Sequence, residues 1–193
     1  GLPGHKVPPT VGVLGAMSRE VDFAKVMGPT RGRVNALSTS LTFEDEDIDA
    51  FFQAGINIIS GPTLQEGTVS NDTDGPFIRS QNTLMSSLTP ITRISVRRML
   101  LLVRSRVRET MRNFLFDKLT PGLYLKMRNA LTEVLVTTQA EGAFKFFQIA
   151  MPRTLLENQE AVNNNRVDIK ILIRPNDVSE DLIVDFSEDE EDE

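Results

Sequence analysis

Between Ser95 and Leu119 the sequence SVRRMLLLVRSRVRETMRNFLFDKL places Val96, Met99, Leu100, Val103, Val107, Met111 and Phe114 at spacings of three and four. That period predicts one helix with a single buried face, and a chain holding such a helix must build a core against it. At about 100° per residue, Arg97, Arg104 and Arg108 fall in one stripe roughly a quarter turn from the apolar face. Arg98 and Arg106 sit further round, towards the opposite side. One side of this helix is suited to a core, and another presents guanidinium groups to something outside.

The 193 residues have room for one substantial domain or two small ones. With 40% hydrophobic and 25% charged residues, the chain has the balance of an ordinary globular protein. No apolar run approaches the length that crosses a bilayer, and the opening residues do not have the pattern of a signal peptide. The lack of cysteine excludes disulfides and thiolate metal sites. The first residue is Gly rather than Met, which points to a processed chain or a fragment of a longer one. The net charge of −6 is unevenly spread, because Glu188 to Glu193 are all acidic and the remainder is close to neutral. A basic helix and an acidic tail in one chain suggest charge complementarity between copies or with another partner. The plainer alternative is a solvated tail and a solvated helix edge.

Taken in order, Gly1 to Lys6 reads as irregular, and Val7-Pro8-Pro9-Thr10 leads into VGVLGAMS, compatible with a short helix or a strand. Gly28-Pro29-Thr30 and Gly32 mark a loop. Thr42 to Ala54 reads as a short helix with Thr42 as its cap, acids in the first turn and Gly55 after its end. Its carboxylates Glu44, Asp45, Glu46, Asp47 and Asp49 lack the Gly turn and distal Glu of a calcium loop. Ile56 to Ile59 is a short buried strand, followed by an exposed loop over Gly61 to Pro76. After the long helix, Pro121 opens a second one that runs to about Ala140 and stops at Gly142. Phe144 to Met151 is an apolar strand, and Thr154 to Asn165 a short helix or turn-rich connection. Val167 to Arg174 alternates, with Val167, Ile169, Ile171 and Ile173 on one face. A last strand, Asp181 to Phe186, either folds back as a hairpin or leaves to join a sheet in another copy.

No catalytic constellation is visible. The only histidine, His5, stands in the irregular N-terminal stretch, and no phosphate-binding glycine loop, GxSxG or HExxH occurs. The chain reads as non-enzymatic, with no cofactor and no metal expected. The arginine helix also fits a nucleic-acid-binding module. Against that, the rest of the chain is not basic, and a single Tyr with no Trp offers no stacking platform. Carboxylates on a protein surface suit the stripe better than phosphates do, so neither nucleic acid nor membrane is expected as a partner.

Several stretches together resemble the C-terminal half of contractile tail sheath proteins, found in contractile-tailed bacteriophages and related injection machines. Val7-Pro8-Pro9-Thr10-Val11-Gly12-Val13-Leu14-Gly15 resembles the family's VPPSG-type segment. Ala54-Gly55-Ile56-Asn57-Ile58-Ile59 resembles its AGIN-plus-apolar motif, with a glycine-rich stretch after it at Gly61 to Gly67. Ile94-Ser95-Val96-Arg97-Arg98-Met99-Leu100 is similar to its VNVRRL helix start, the most specific of the three. The order of the elements then matches from about Val7 to Phe186. The family's WGARTL stretch is replaced around Phe77 to Leu84 by FIRSQNTL, without Trp, and the N-terminal arm and surface domains have no counterpart.

The resemblance implies an α+β fold in which two long adjacent helices pack on a mixed β-sheet, with an extended C-terminal strand donated to a neighbouring subunit. Residues 1–180 are then a sheath core and 181–193 an arm with an acidic tail. The implied function is a structural subunit of a contractile sheath on a virion tail, assembled in the host cytoplasm as stacked hexameric rings around an inner tube. Contraction drives that tube through the target envelope for genome ejection. Baseplate and tail-terminator proteins are the implied partners at the ends, and a sheath-terminating or baseplate-proximal subunit of the same particle is the alternative. Arg97, Arg104 and Arg108 map to the tube-facing helix. Leu182, Ile183, Val184, Asp185 and Phe186 map to the exchanged strand. Phe146 and Gln148, with Val167, Ile169, Ile171 and Ile173, map to the sheet that receives it.

Overall fold

The structure is a computed structural model that describes residues 6–36, 38–41, 43–61, 75–85, 89–152, 157, 163–164 and 166–176. Five helices lie in it: α1 (Pro9–Arg19), α2 (Gly28–Arg31), α3 (Asp45–Gln53), α4 (Ile94–Arg112) and α5 (Pro121–Ala140). The strands are β1 (Ile59–Ser60), β2 (Phe77–Ile78), β3 (Phe144–Ala150) and β4 (Lys170–Pro175). The class is α+β. Among the described residues the strands form two separate antiparallel pairs, β1 with β2 and β3 with β4, rather than one mixed sheet.

The core is centred on α4. Val96, Met99 and Val103 are buried against Leu135 of α5 and against Ala143 and Phe144 at the start of β3. Leu100 and Val107 flank them, and Phe147, Ile149, Ile171 and Ile173 close the cluster from the sheet. Further along, Met111 and Phe114 pack with Leu123, Tyr124 and Met127 of α5 and with Met151. The apolar face read from the sequence is therefore the face that is buried. α4 is shorter than the expected span, however. It ends at Arg112, and a turn follows in which Phe116 takes a left-handed φ of 69°, a conformation no continuing helix can hold.

α5 begins as its sequence requires. Thr120 caps it by accepting a hydrogen bond from Leu123 N–H at 3.2 Å, and Pro121 occupies the first turn, where no N–H partner is lost. Side chains from α5 then hold β3. Gln139 Nε2 donates to Lys145 O at 2.6 Å, and Arg128 Nη2 donates to Met151 O at 2.7 Å. Asn176 Nδ2, just past β4, donates to Gly142 O at 2.6 Å. The register shifts between Phe144 and Phe146, which lets Phe144 and Phe147 both face the core with their rings edge to face at 6.0 Å. Strict alternation would have put those two residues on opposite faces, which is why the apolar run Phe144–Met151 has no clean period of two. The ladder of β4 starts at Lys170, so Val167 and Ile169 precede it and pack as half-buried side chains on the Tyr124–Met127 cluster.

A smaller layer gathers the N-terminal segments. Ala16 of α1, Val26, Val34 and Ile78 form its core. The VPPTVGVLG stretch is helical, and a Cβ at Gly12 would come within 2.3 Å of Val34 Cγ1, so only glycine permits α1 to lie this close. The loop expected over Gly28–Gly32 contains the single turn of α2. Arg33 bridges to Phe77 on the side of β2 opposite β1, so three short backbone segments lie side by side.

Helix α3 starts at Asp45, later than Thr42, which lies outside the described residues. Asp47 Oδ2 accepts from Glu44 N–H at 3.4 Å, so one of these acids helps cap the helix. Gly55, at φ 73°, follows its end: Gly55 N–H donates to Phe52 O and Ile56 N–H to Phe51 O. That pair of bonds satisfies the last carbonyls and needs the left-handed residue. Of the expected strand Ile56–Ile59 only Ile59 pairs as a strand, together with Ser60 beyond it, and Asn57 pairs through its side chain instead. Its Nδ2 donates to Asn82 O, and its Oδ1 accepts from Asn82 N–H, both at 2.7 Å, with Ser80 Oγ as a further donor at 3.0 Å. The Asn of the AGIN motif thus stands in for a peptide group where β1 has not yet begun.

Leu135 is 0% exposed at the centre of the main cluster. Leu135→Ala should lower the unfolding free energy by about 3 kcal/mol, read as a shift of the urea midpoint at unchanged slope.

Candidate functional site

The packing of α4 fixes its rotation about its own axis and so sorts its arginines. Arg98 turns towards the N-terminal layer. Its Nη2 donates to Met17 O at 3.1 Å and to Asp22 Oδ1 at 3.1 Å. Met17 lies in the last turn of α1, where carbonyls have no partner within the helix and the dipole is negative. Arg98 thereby caps one helix while belonging to another, with its own side chain 18% exposed. Arg106 turns to α5: its Nη1 donates to Thr138 Oγ1 at 2.8 Å and to Glu141 Oε2 at 2.7 Å.

Arg97, Arg104 and Arg108 are all exposed. Among the described residues their side chains make no hydrogen bond or ion pair. Two further exposed residues share their face, within about 60° of Arg97 at 100° per residue. Arg112 is exposed and its side chain likewise has no partner there, and Leu101 is 49% exposed between Arg97 and Arg104. The sequence reading passed over both, although their helical angle alone places them on the stripe. From Arg97 to Arg112 the row is roughly 22 Å long at 1.5 Å per residue. It is a basic ridge with one apolar residue near its Arg97 end, suited to a partner surface carrying carboxylates.

The expected strand-accepting residues divide between two faces. Phe146 and Gln148 lie on the outer face of the β3–β4 ladder, where Phe146 pairs with Arg174 and Gln148 with Leu172. Ile171 and Ile173 lie on the inner face and belong to the main core. Val167 and Ile169 also pack inward, on the second cluster. Phe146 and Leu172 are both about half exposed and leave an apolar strip on the outside of the ladder. Leu182, Ile183, Val184, Asp185 and Phe186 lie outside the described residues, as does the acidic tail. Among the described residues no group of three His, Cys, Asp or Glu is placed to hold a metal ion, and no helix is long and apolar enough to cross a membrane.

Arg98→Ala should cost about 2 kcal/mol of stability, because it removes partners from a helix end and from a carboxylate. Arg104→Ala should stay within about 0.5 kcal/mol of the parent. Paired urea titrations check the difference.

No protein-family model matches the sequence, and no curated protein is similar to it. The fold does have counterparts. One is a chain in the cryo-EM structure of the anti-feeding prophage (AFP) baseplate, 6-fold symmetrised, with a TM-score of 0.78 at 15% identity over 94% of this chain and 50% of that one. Another is a chain in the cryo-EM structure of an extracellular contractile injection system, the PVC sheath complex in its contracted state. There the TM-score is 0.77 at 16% identity, over 96% of this chain and 52% of that one. The chain spans about half the length of either counterpart. Its fold is thus one found in the baseplate and sheath structures of contractile particles, the kind of machine that its three motifs resemble.

Proposed function

We propose that this chain is a structural subunit of a contractile tail-like particle, and within it a sheath subunit that assembles around an inner tube. The observation that carries the reading is the sorting of arginines on α4. Arg98 and Arg106 are used up inside the fold, whereas Arg97, Arg104, Arg108 and Arg112 project from one ridge with no partner among the described residues. A ridge of this kind has charge to offer a neighbour and no fold-stabilising task to lose. A sheath needs contacts that hold register and still let go when the subunits move outward. Exposed ion pairs of order 0–1 kcal/mol each have that character when many are summed.

Assembly into stacked rings is assigned to strand addition. The β3–β4 ladder is two strands wide among the described residues, and the edge of such a ladder is a template for a further strand. An added strand from residues 182–186 of a neighbouring copy gains backbone hydrogen bonds at a ladder edge. Baseplate-proximal or terminal placement in the same particle is the second reading, favoured by the match to a chain in the AFP baseplate structure. Both readings describe a non-enzymatic structural protein, and the inner tube and end-capping proteins are its proposed partners.

Replacing Arg97, Arg104 and Arg108 together with Glu should leave the thermal midpoint within about 2 °C of the parent, because none holds the fold. The same triple variant should lose assembly around the inner tube in a co-sedimentation assay and in negative-stain images. Normal striated tubes from the variant would remove the basis of the reading.

A further inference from the structure

Four guanidinium groups stand along one ridge of α4 without a counter-charge. Arg97, Arg104, Arg108 and Arg112 are exposed, and their side chains have no hydrogen bond or ion pair among the described residues. The helix carries a single carboxylate, Glu109, which makes no ion pair there either. Like charges one helical turn apart repel, and Arg104, Arg108 and Arg112 each stand four residues from the next. The row therefore favours an anionic occupant laid along it.

The chain itself supplies one. Its two densest acidic runs are Glu44 to Asp49 and Glu188 to Glu193. The first belongs to the start of α3, where Asp47 helps cap the helix, and it forms no ion pair with the ridge. The second lies outside the described residues and carries six carboxylates with no neutral residue between them. At roughly 3.4 Å per residue, six extended residues span about 20 Å, which matches the roughly 22 Å from Arg97 to Arg112. The reach is also sufficient. Asn176, the last described residue, donates from Nδ2 to Gly142 O, and the adjacent Glu141 pairs with Arg106 of α4. The described part of the chain thus stops beside α4. From Asn176 to Glu188 is 12 residues, a stretch of up to about 40 Å. Passing round a helix about 10–12 Å across needs less. A tether of this length gives an effective concentration in the millimolar range, so a chain's own tail outcompetes that of a separate copy at any lower concentration.

We infer that residues 188–193 lie along the Arg97–Arg112 ridge of their own chain while that chain is free. The ridge is then occupied before a partner arrives, and a partner's carboxylates must displace the tail. The contact concerns the free chain and holds whether or not the ridge later meets a tube. Where residues 182–186 join a neighbouring copy's ladder, as proposed above, the tail is drawn off with them and assembly uncovers the ridge.

The sequence has neither Trp nor Cys, so two probes can be placed singly in the full chain. Leu101→Trp puts an indole on the ridge at an exposed position, and Ser187→Cys carries a nitroxide, which quenches an indole only near contact. At low salt the indole should be quenched to the same extent at every protein concentration, as a contact within one chain requires. The quenching should vanish at ~1 M salt, where charges are screened within about 3 Å, and in a chain whose six tail acids are replaced by Gln or Asn. In chains without either probe, a poly-glutamate peptide should bind the neutral-tail variant about tenfold more tightly than the parent. No quenching at low salt, quenching that survives the neutral tail, or equal binding of the peptide to both chains overturns the proposal. Quenching that grows with protein concentration would assign the tail to another copy and overturn it as well. None of these readouts involves a tube or a sheath, so their failure leaves the sheath reading standing.

Discussion

The seam between α4 and its neighbours decides the rest of the structure. Met99, Leu135 and Phe144 are almost wholly removed from water at its centre, and Val96 and Val103 extend it along one side of α4. A helix gripped along one face cannot rotate without opening a cavity, and cavities in close-packed cores are costly. The azimuth of α4 is therefore fixed by apolar contact alone. Everything polar about the helix follows from that angle, including which guanidinium groups reach partners inside the fold and which do not.

Arg98 shows how the seam extends its control. Its guanidinium reaches across to the last turn of α1 and to Asp22, tying the N-terminal layer to the helix that the main core holds. The side chains of Arg97, Arg104, Arg108 and Arg112 have no such task among the described residues. Within one element, the apolar seam and Arg98 serve the fold, and the ridge is exposed. The outer face of β3–β4, with Phe146 and Leu172, is a second available surface on a different part of the domain.

Much of this was legible in the sequence because it rests on local rules. The apolar period of α4, the Thr120–Pro121 start of α5 and the glycine after α3 each depend on residues within a turn of one another. The stripe of Arg97, Arg104 and Arg108 was legible for the same reason. Its extension through Leu101 and Arg112 followed from the same helical angle and was missed by counting only the three cations. What the sequence concealed depends on partners far along the chain. Asn57 looked like part of a strand, yet its amide pairs with the backbone of Asn82, 25 residues away. The inward turn of Arg98 required knowing where α1 ends in space. The register shift in β3 broke an alternation that periodicity arguments assume. Residues 181–186 lie outside the described residues, so the exchange of that strand stands as a proposal.

The most direct measurement is a cryo-EM map of the assembled particle at a resolution that shows side chains. The account predicts that α4 lines the inner wall, with Arg97, Arg104 and Arg108 within ion-pair distance of carboxylates on the tube. A map with α4 turned away from the tube, and those three side chains in solvent or against another element of the same chain, would contradict it.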